Sequence, residues 1–413
     1  MNSFTRHIVP QEAFKYLLVL FIIFTSIIFY SVFIPFGGSR YVVFMGALVI
    51  MFFLFVNMIY DRSKSFPMQF KLEAWFMLLP LFFSFFAAKF FHDQPFYITL
   101  IGQHGVYFIL LYFLLHKLKP SPDVMMKMFI WLGYGYCIVY AFQFLIYPVQ
   151  IVHSNILVDR GTIRIFMPGS EYIFTGYFIL TGRFFMTRNP KHLLLVIPYL
   201  IILLLMGTRQ MIGSLVFASM INILLSRTIK SKLLMYILIA ACLIPFYFIF
   251  QNIFDEMFKI SHQQTSEGIT QNVRYKAVLF YLFKYNTNYL WMFFGNGMPD
   301  VLSRYGRELS GIGQYGGLYL EDIGLFGDFF RFGILFVIAK LSMYIRLLKW
   351  KLLEKYTFIR YNVITILLTL FTGGGTNASV LTLTCLMMYF ADVNNQEMQE
   401  KEEKNSSGAQ EIT

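Results

Sequence analysis

Between Tyr41 and Tyr60 the chain runs for 20 residues without a charged side chain, and it does so again from Leu233 to Asn252. As a helix, such a stretch spans ~30 Å, the thickness of the hydrocarbon core of a bilayer. Apolar runs fall near 14–34, 41–60, 72–91, 98–115, 128–147, 170–187, 193–207, 210–226, 233–250, 318–341, 358–372 and 376–391. Composition rules out a water-soluble globule, since 57% of the residues are hydrophobic, 14% are charged and the mean hydropathy is +0.61. The alternating ten-residue pattern of an outer-membrane barrel is missing. The expected fold class is therefore all-α, a polytopic membrane helix bundle of about twelve transmembrane helices. Residues 1–391 are expected to form one multispan domain, and 392–413 a disordered cytoplasmic tail rich in Glu and Lys. The first run has no small-residue cleavage site after it and reads as a span, not a signal peptide. Cys137, Cys242 and Cys385 lie within apolar runs without CxxC spacing, which points to packing and away from disulfides or metal.

Basic residues orient the bundle. Arg62, Lys64 and Lys71, then Lys117, Lys119 and Lys127, then Arg188 and Lys191, Arg227, Lys230 and Lys232, and finally Arg346, Lys349, Lys351, Lys355 and Arg360 fall in alternate connections. The positive-inside rule makes that face cytoplasmic, together with both termini. It also accounts for the net charge of +12 without nucleic acid as a partner. The opposite face then carries a medium loop from Pro148 to Gly169 and a long external loop over about 251–317. Lysine dominates the inner face and arginine the outer. Topology alone does not separate the two, but bidentate recognition of phosphate does, because only the guanidinium presents a planar fork.

Four constellations on the external side can carry chemistry. Arg209 lies in Met206-Gly207-Thr208-Arg209-Gln210, the connection of a tight helical hairpin, where an ionisable group faces a cavity or a partner or else snorkels to the lipid headgroups. Arg160 and Arg164 precede Pro168-Gly169-Ser170-Glu171, with Glu171 equally readable as a favourable charge at a helix start. The long loop holds Arg274, an aromatic amphipathic stretch from Tyr275 to Trp291, the turn Phe294-Gly295-Asn296-Gly297, and Arg304 and Arg307 among glycines whose amides could approach a phosphate. Last come Glu321 and Asp322, with Asp328 on the same helix face as Glu321 and Arg331 within reach of Asp328.

A P-loop, a nucleophile elbow and HExxH are all missing, which weighs against ATP-driven transport and serine hydrolysis. His92, His153 and His262 are external but distant in sequence from Glu321 and Asp322.

The order of these pieces resembles the O-antigen polymerase and O-antigen ligase superfamily. The resemblance rests on the Gly-Thr-Arg hairpin from Gly207 to Ser214, one long external loop with Arg274 near its start, the turn from Phe294 to Gly297, and the acidic-x-Gly-x-x-Gly pattern from Asp322 to Gly327. It covers about 190–340, and the N-terminal half only through span count. It implies a multi-pass enzyme of the bacterial cytoplasmic membrane with its site facing outward. That enzyme would transfer glycan from an undecaprenyl-diphosphate carrier to a sugar hydroxyl of another lipid-linked repeat unit, with inversion and without metal or cofactor. Membrane lipid and a chain-length regulator protein are the further partners implied. Ligase members carry a His-Asn pair before the acidic residue, whereas Gly313-Gln314-Tyr315-Gly316 stands here, so the chain leans towards polymerase.

Chemistry independent of the family agrees. A departing diphosphate needs stabilising charge, which arginine forks provide, and an attacking hydroxyl needs a proton acceptor. Arg209 and Arg274 are the expected catalytic arginines and Glu321 or Asp322 the expected base, with Arg160, Arg164, Arg304 and Arg307 as substrate-binding residues. The alternatives are an O-antigen ligase and a flippase or other transporter of the lipid-linked oligosaccharide. A transporter would be expected to show matched halves, and the long loop has no counterpart in the first half.

Overall fold

The structure, a computed structural model, describes residues 5–27, 36–60, 67–159, 162–225, 272–286, 289–372 and 375–410, with isolated positions between 231 and 262. It is mostly helical. The N-terminal half contains α1 (Thr5–Ser26), α2 (Phe36–Tyr60), α3 (Lys71–His92), α4 (Phe96–Gly102), α5 (Leu111–Leu118) and α6 (Pro122–Leu145). A hairpin of β1 (Asn155–Asp159) and β2 (Thr162–Phe166) follows, then α7 (Glu171–Thr187), α8 (Lys191–Leu194), α9 (Ile197–Leu205) and α10 (Arg209–Leu225). The C-terminal part contains α11 (Val273–Leu279), α12 (Trp291–Phe294), α13 (Arg304–Gly316), α14 (Gly324–Lys349), α15 (Phe358–Thr369) and α16 (Ala378–Gln410).

Among the described residues, three helices are long and apolar enough to cross a membrane: Arg40–Ile59, Lys71–His92 and Pro122–Leu145. A fourth candidate is Phe96–Gly102 with Val106–Leu118, bent by 63° at the break. Several other expected spans are shorter or interrupted. Helix α15 has 12 residues, the hairpin arms Lys191–Leu205 and Arg209–Leu225 are short apolar helices, and the run 233–250, apart from Phe248, falls outside the described residues. The medium loop, expected to be irregular, contains an antiparallel hairpin with Leu157 opposite Arg164 and Asp159 opposite Thr162. The segment after Asn394, expected to be disordered, continues α16 to Gln410. Its Glu, Gln, Lys and Met residues are strong helix formers, and Glu397 accepts hydrogen bonds from Lys355 Nζ and Tyr356 Oη, both at 2.8 Å.

Helix α3 packs along α14, α6 along α7, and α10 along α15 around one apolar core. A second, smaller core of Ala277, Tyr281, Tyr305, Leu309, Leu320, Ile323 and Phe330 fastens α11 and α13 to α14. The glycine-rich stretch after Arg304, expected to offer free amides, is largely the helix α13.

Helix α14 is interrupted at Gly333, whose φ of 77° and ψ of −178° are not helical. The turn at Gly295 fills the break. Asn296 N donates to Phe330 O at 2.8 Å and Gly297 N to Arg331 O at 2.9 Å, carbonyls that a continuous helix would satisfy itself. The amides of this turn are therefore engaged by the protein. Glycine is needed on both sides of the crossing, because a Cβ would lie 2.2 Å from Arg331 O at Gly295 and 2.2 Å from Phe293 O at Gly333.

Below the break, Lys340 Nζ and Asp328 Oδ2 form a fully buried pair at 2.6 Å, and Thr376 donates to both Asp328 oxygens from N (3.0 Å) and Oγ1 (2.8 Å). Asp328 thus pairs with Lys340, and not with Arg331 as the i, i+3 spacing suggested. Glu321 lies on a separate 3-10 turn, Leu320–Ile323, so it does not share a helix face with Asp328. Its Oε1 receives Arg331 Nη2 at 2.9 Å instead.

Candidate functional site: an arginine-lined cavity

Three of the arginines and two of the acids singled out by sequence meet at a single cavity of about 1050 Å³. Its lining includes Arg164 from β2, Arg209 from the start of α10, Arg274 from α11, Asp322 from the turn before α14, and Glu171 from the start of α7. These positions are far apart in the chain, and each is brought in by a distinct local feature.

Strand pairing presents Arg164. Its Nη1 reaches the Asp159 carboxylate at 3.1 and 3.2 Å, and its Nε donates to Met206 O at 3.1 Å. These contacts do not engage Nη2. The Met206 contact, with Thr162 Oγ1 donating to Leu205 O at 3.0 Å, clamps the hairpin onto the α9–α10 connection. That connection turns at Gly207 (φ +60°), where a Cβ would meet Thr162 Cγ2 at 3.1 Å. Arg209 then opens α10, so its guanidinium stands at the positive end of a 17-residue helix. Arg274 follows the cap residue Asn272, whose Oδ1 accepts from Arg274 N at 2.9 Å.

The electrostatics are those of crowded like charges. Burial pulls the Arg209 guanidinium below its ordinary value, and Arg274 and Arg164 push it the same way. Two cations near a third destabilise one another unless an anion lies between them. Burial raises the Asp322 carboxyl above its ordinary value, with Arg274 opposing and Glu321 reinforcing the rise. The cavity therefore combines fixed cationic forks with a carboxylate of increased proton affinity, which suits anion binding next to proton transfer.

Other expected site residues lie elsewhere. Glu321 is outside the described lining, with a side chain 70% exposed and tied to Arg331. Arg304 and Arg307 sit on α13, outside the described lining, and Arg307 Nη1 donates to Leu302 O at 3.1 Å. Arg160 falls outside the described residues. His92 is not part of the described lining. Its ring stacks on Tyr305 with centroids 3.9 Å apart, and its Nε2 lies 3.1 Å from Asn296 Oδ1.

Sequence reasoning missed a polar stripe on α15. Asn362, Thr365 and Thr369 line the cavity, and their i, i+3, i+7 spacing within an apolar run was the available signal. Among the described residues, no three His, Cys, Asp or Glu side chains could together hold a metal ion. Cys137 and Cys385 are buried free thiols.

Compared with known proteins, the chain matches no family model, no curated protein and no solved structure.

Proposed function

We propose that the protein is a lipid-dependent glycosyltransferase that polymerises a surface polysaccharide, such as an O-antigen, from undecaprenyl-diphosphate-linked repeat units on the external face of the bacterial cytoplasmic membrane. The observation that carries this reading is the convergence of Arg164, Arg209 and Arg274 on the cavity that Asp322 also lines. The arginines hold the diphosphate and stabilise its charge as the glycosidic bond breaks. Asp322 takes the proton of the attacking hydroxyl as the new bond forms. Glu321, the other acid in the motif, is committed to Arg331 and leaves this role to Asp322. The apolar helices supply the surroundings for the prenyl tail, and about twelve spans remain the proposed topology.

One observation favours transport as a second reading: α14 is interrupted at Gly333, and broken helices recur in carriers. Deletion of the gene separates the readings. If the protein is the polymerase, its deletion is expected to leave surface glycan with one repeat unit and no ladder. Loss of every repeat would instead indicate a ligase or a flippase and overturn the polymerase reading.

A further inference from the structure

The part of the cavity wall contributed by α7 and α15 presents mainly hydrogen-bond acceptors, in contrast to the arginines, which only donate. Thr365 Oγ1 donates to Tyr361 O at 3.0 Å and Thr369 Oγ1 to Thr365 O at 3.1 Å, so each hydroxyl proton is used within the helix and only lone pairs remain. Asn362 gives Nδ2 to Phe358 O at 2.9 Å and accepts from Thr175 Oγ1 at 3.1 Å, which leaves it one N–H and one lone pair. Beside them stands Glu171, whose Oε1 accepts from Ser379 Oγ at 3.2 Å while its Oε2 is buried without a hydrogen-bond partner. A carboxylate oxygen left unmet in this way is costly unless a donor arrives with the ligand.

We infer that Glu171 and the polar face of α15 form a subsite for the hydroxyl-bearing part of the ligand, while Arg164, Arg209 and Arg274 hold its phosphate. The inference rests on the function proposed above and specifies how its substrate is divided. A ligand that satisfies both sets of groups must carry acceptor-only oxygens at one end and several O–H donors at the other. A glycosyl phosphate has both. A bare prenyl diphosphate lacks the second, so the cavity should tell a loaded carrier from a spent one.

The full-length protein in lipid nanodiscs is titrated with undecaprenyl diphosphate and with the same lipid bearing one N-acetylhexosamine. Wild type is expected to bind both, the sugar-bearing lipid about tenfold more tightly, the order expected when a buried charged acceptor gains a donor. Glu171→Gln and the isosteric Thr365→Val should each remove most of that gain and leave the affinity for undecaprenyl diphosphate within about twofold of wild type, whereas Arg209→Lys should weaken both lipids. Because Thr365→Val preserves shape, a loss there reports the hydroxyl and not the fold. Equal affinity of wild type for the two lipids, or the full gain retained in both wall variants, overturns the subsite and leaves the arginine site standing. Binding of the sugar-bearing lipid without any binding of undecaprenyl diphosphate overturns the phosphate reading instead, and binding of neither overturns both.

Discussion

Arg209 and Arg307 are the same residue type on the same expected side, yet only Arg209 faces the cavity, and this difference should separate their roles. Lysine keeps the charge of arginine but loses the planar fork, so the exchange matters most where two parallel hydrogen bonds grip a phosphate. With purified protein and lipid-linked repeat units, Arg209→Lys and Arg274→Lys are each expected to lower polymer formation on the order of 10²-fold while the protein accumulates normally. Arg307→Lys should stay near wild type. Near-normal polymer in both cavity variants would reduce these arginines to a structural role. Asp322 makes a pH-dependent counterpart. Its carboxyl is raised mainly by burial, so on acidification it gains a proton, and activity declines, at higher pH than for an ordinary carboxylate. Asp322→Asn should cost roughly 10²–10⁴ in rate and abolish this acid limb of the rate profile. A raised carboxyl means that ionised Asp322 destabilises the fold above its unfolded value, so Asp322→Asn should melt no lower than wild type at neutral pH. A wild-type acid limb retained in the variant would remove Asp322 from proton transfer. Part of the cationic site was legible from the predominance of arginine on the face expected to be external, although Arg304 and Arg307 follow the same pattern and do not line the cavity. Glu171 was not legible, since an acid at a helix start has an adequate local reason to be there, and only the fold shows an unpartnered oxygen beside a cavity.

At the level of elements, what the sequence left open is backbone geometry. Phe294-Gly295-Asn296-Gly297 was visible as a turn, but nothing local reveals that its amides complete an interrupted helix 34 residues further on, from Asn296 and Gly297 to Phe330 and Arg331 near Gly333. The β-hairpin was more accessible: Thr162-Ile163-Arg164-Ile165 alternates polar and β-branched residues and follows the short apolar run Ile156-Leu157-Val158, a pattern masked by the surrounding apolar helices. Helix α13 went unrecognised because its glycines read as a loop, although Ser303 caps it by accepting from Gly306 N at 2.9 Å. These glycines yield a paired prediction. Gly333→Ala places a Cβ 2.2 Å from Phe293 O at a positive φ and should destabilise the protein by more than about 2 kcal/mol. Gly311→Ala meets no atom within 4 Å on a helix and should be neutral or stabilising by about 0.5–1 kcal/mol. Thermal unfolding in detergent compares the two. Equal melting temperatures would mean that the crossing at Gly333 yields without cost and does not hold the turn in place.

For the molecule as a whole, the site requires that the cavity open away from the cytoplasm, because that is where the arginines outnumber the lysines in the proposed topology. The argument depends on charge asymmetry between connections, which the positive-inside rule converts into orientation. Helix length alone cannot replace it, since only three described helices meet both the length and the hydropathy needed to span unaided, and long helices such as α1 and α16 are not among them. Short and broken spans are tolerated where neighbouring helices satisfy their backbone, as the turn at Gly295 does for α14, so a span count taken from apolar runs and one taken from straight helices differ for a physical reason. Orientation can be read directly. Tyr315 on α13 is 93% exposed, and Glu403 lies on the exposed C-terminal turns of α16. In a background with the three native cysteines replaced, Tyr315→Cys in intact cells should react with a membrane-impermeant maleimide that has crossed the outer layers. Glu403→Cys should react only after the cytoplasmic membrane is opened. The reverse pattern would turn the cavity inward, away from any carrier displayed outside, and with it the polymerase reading would fall even if every arginine proved essential.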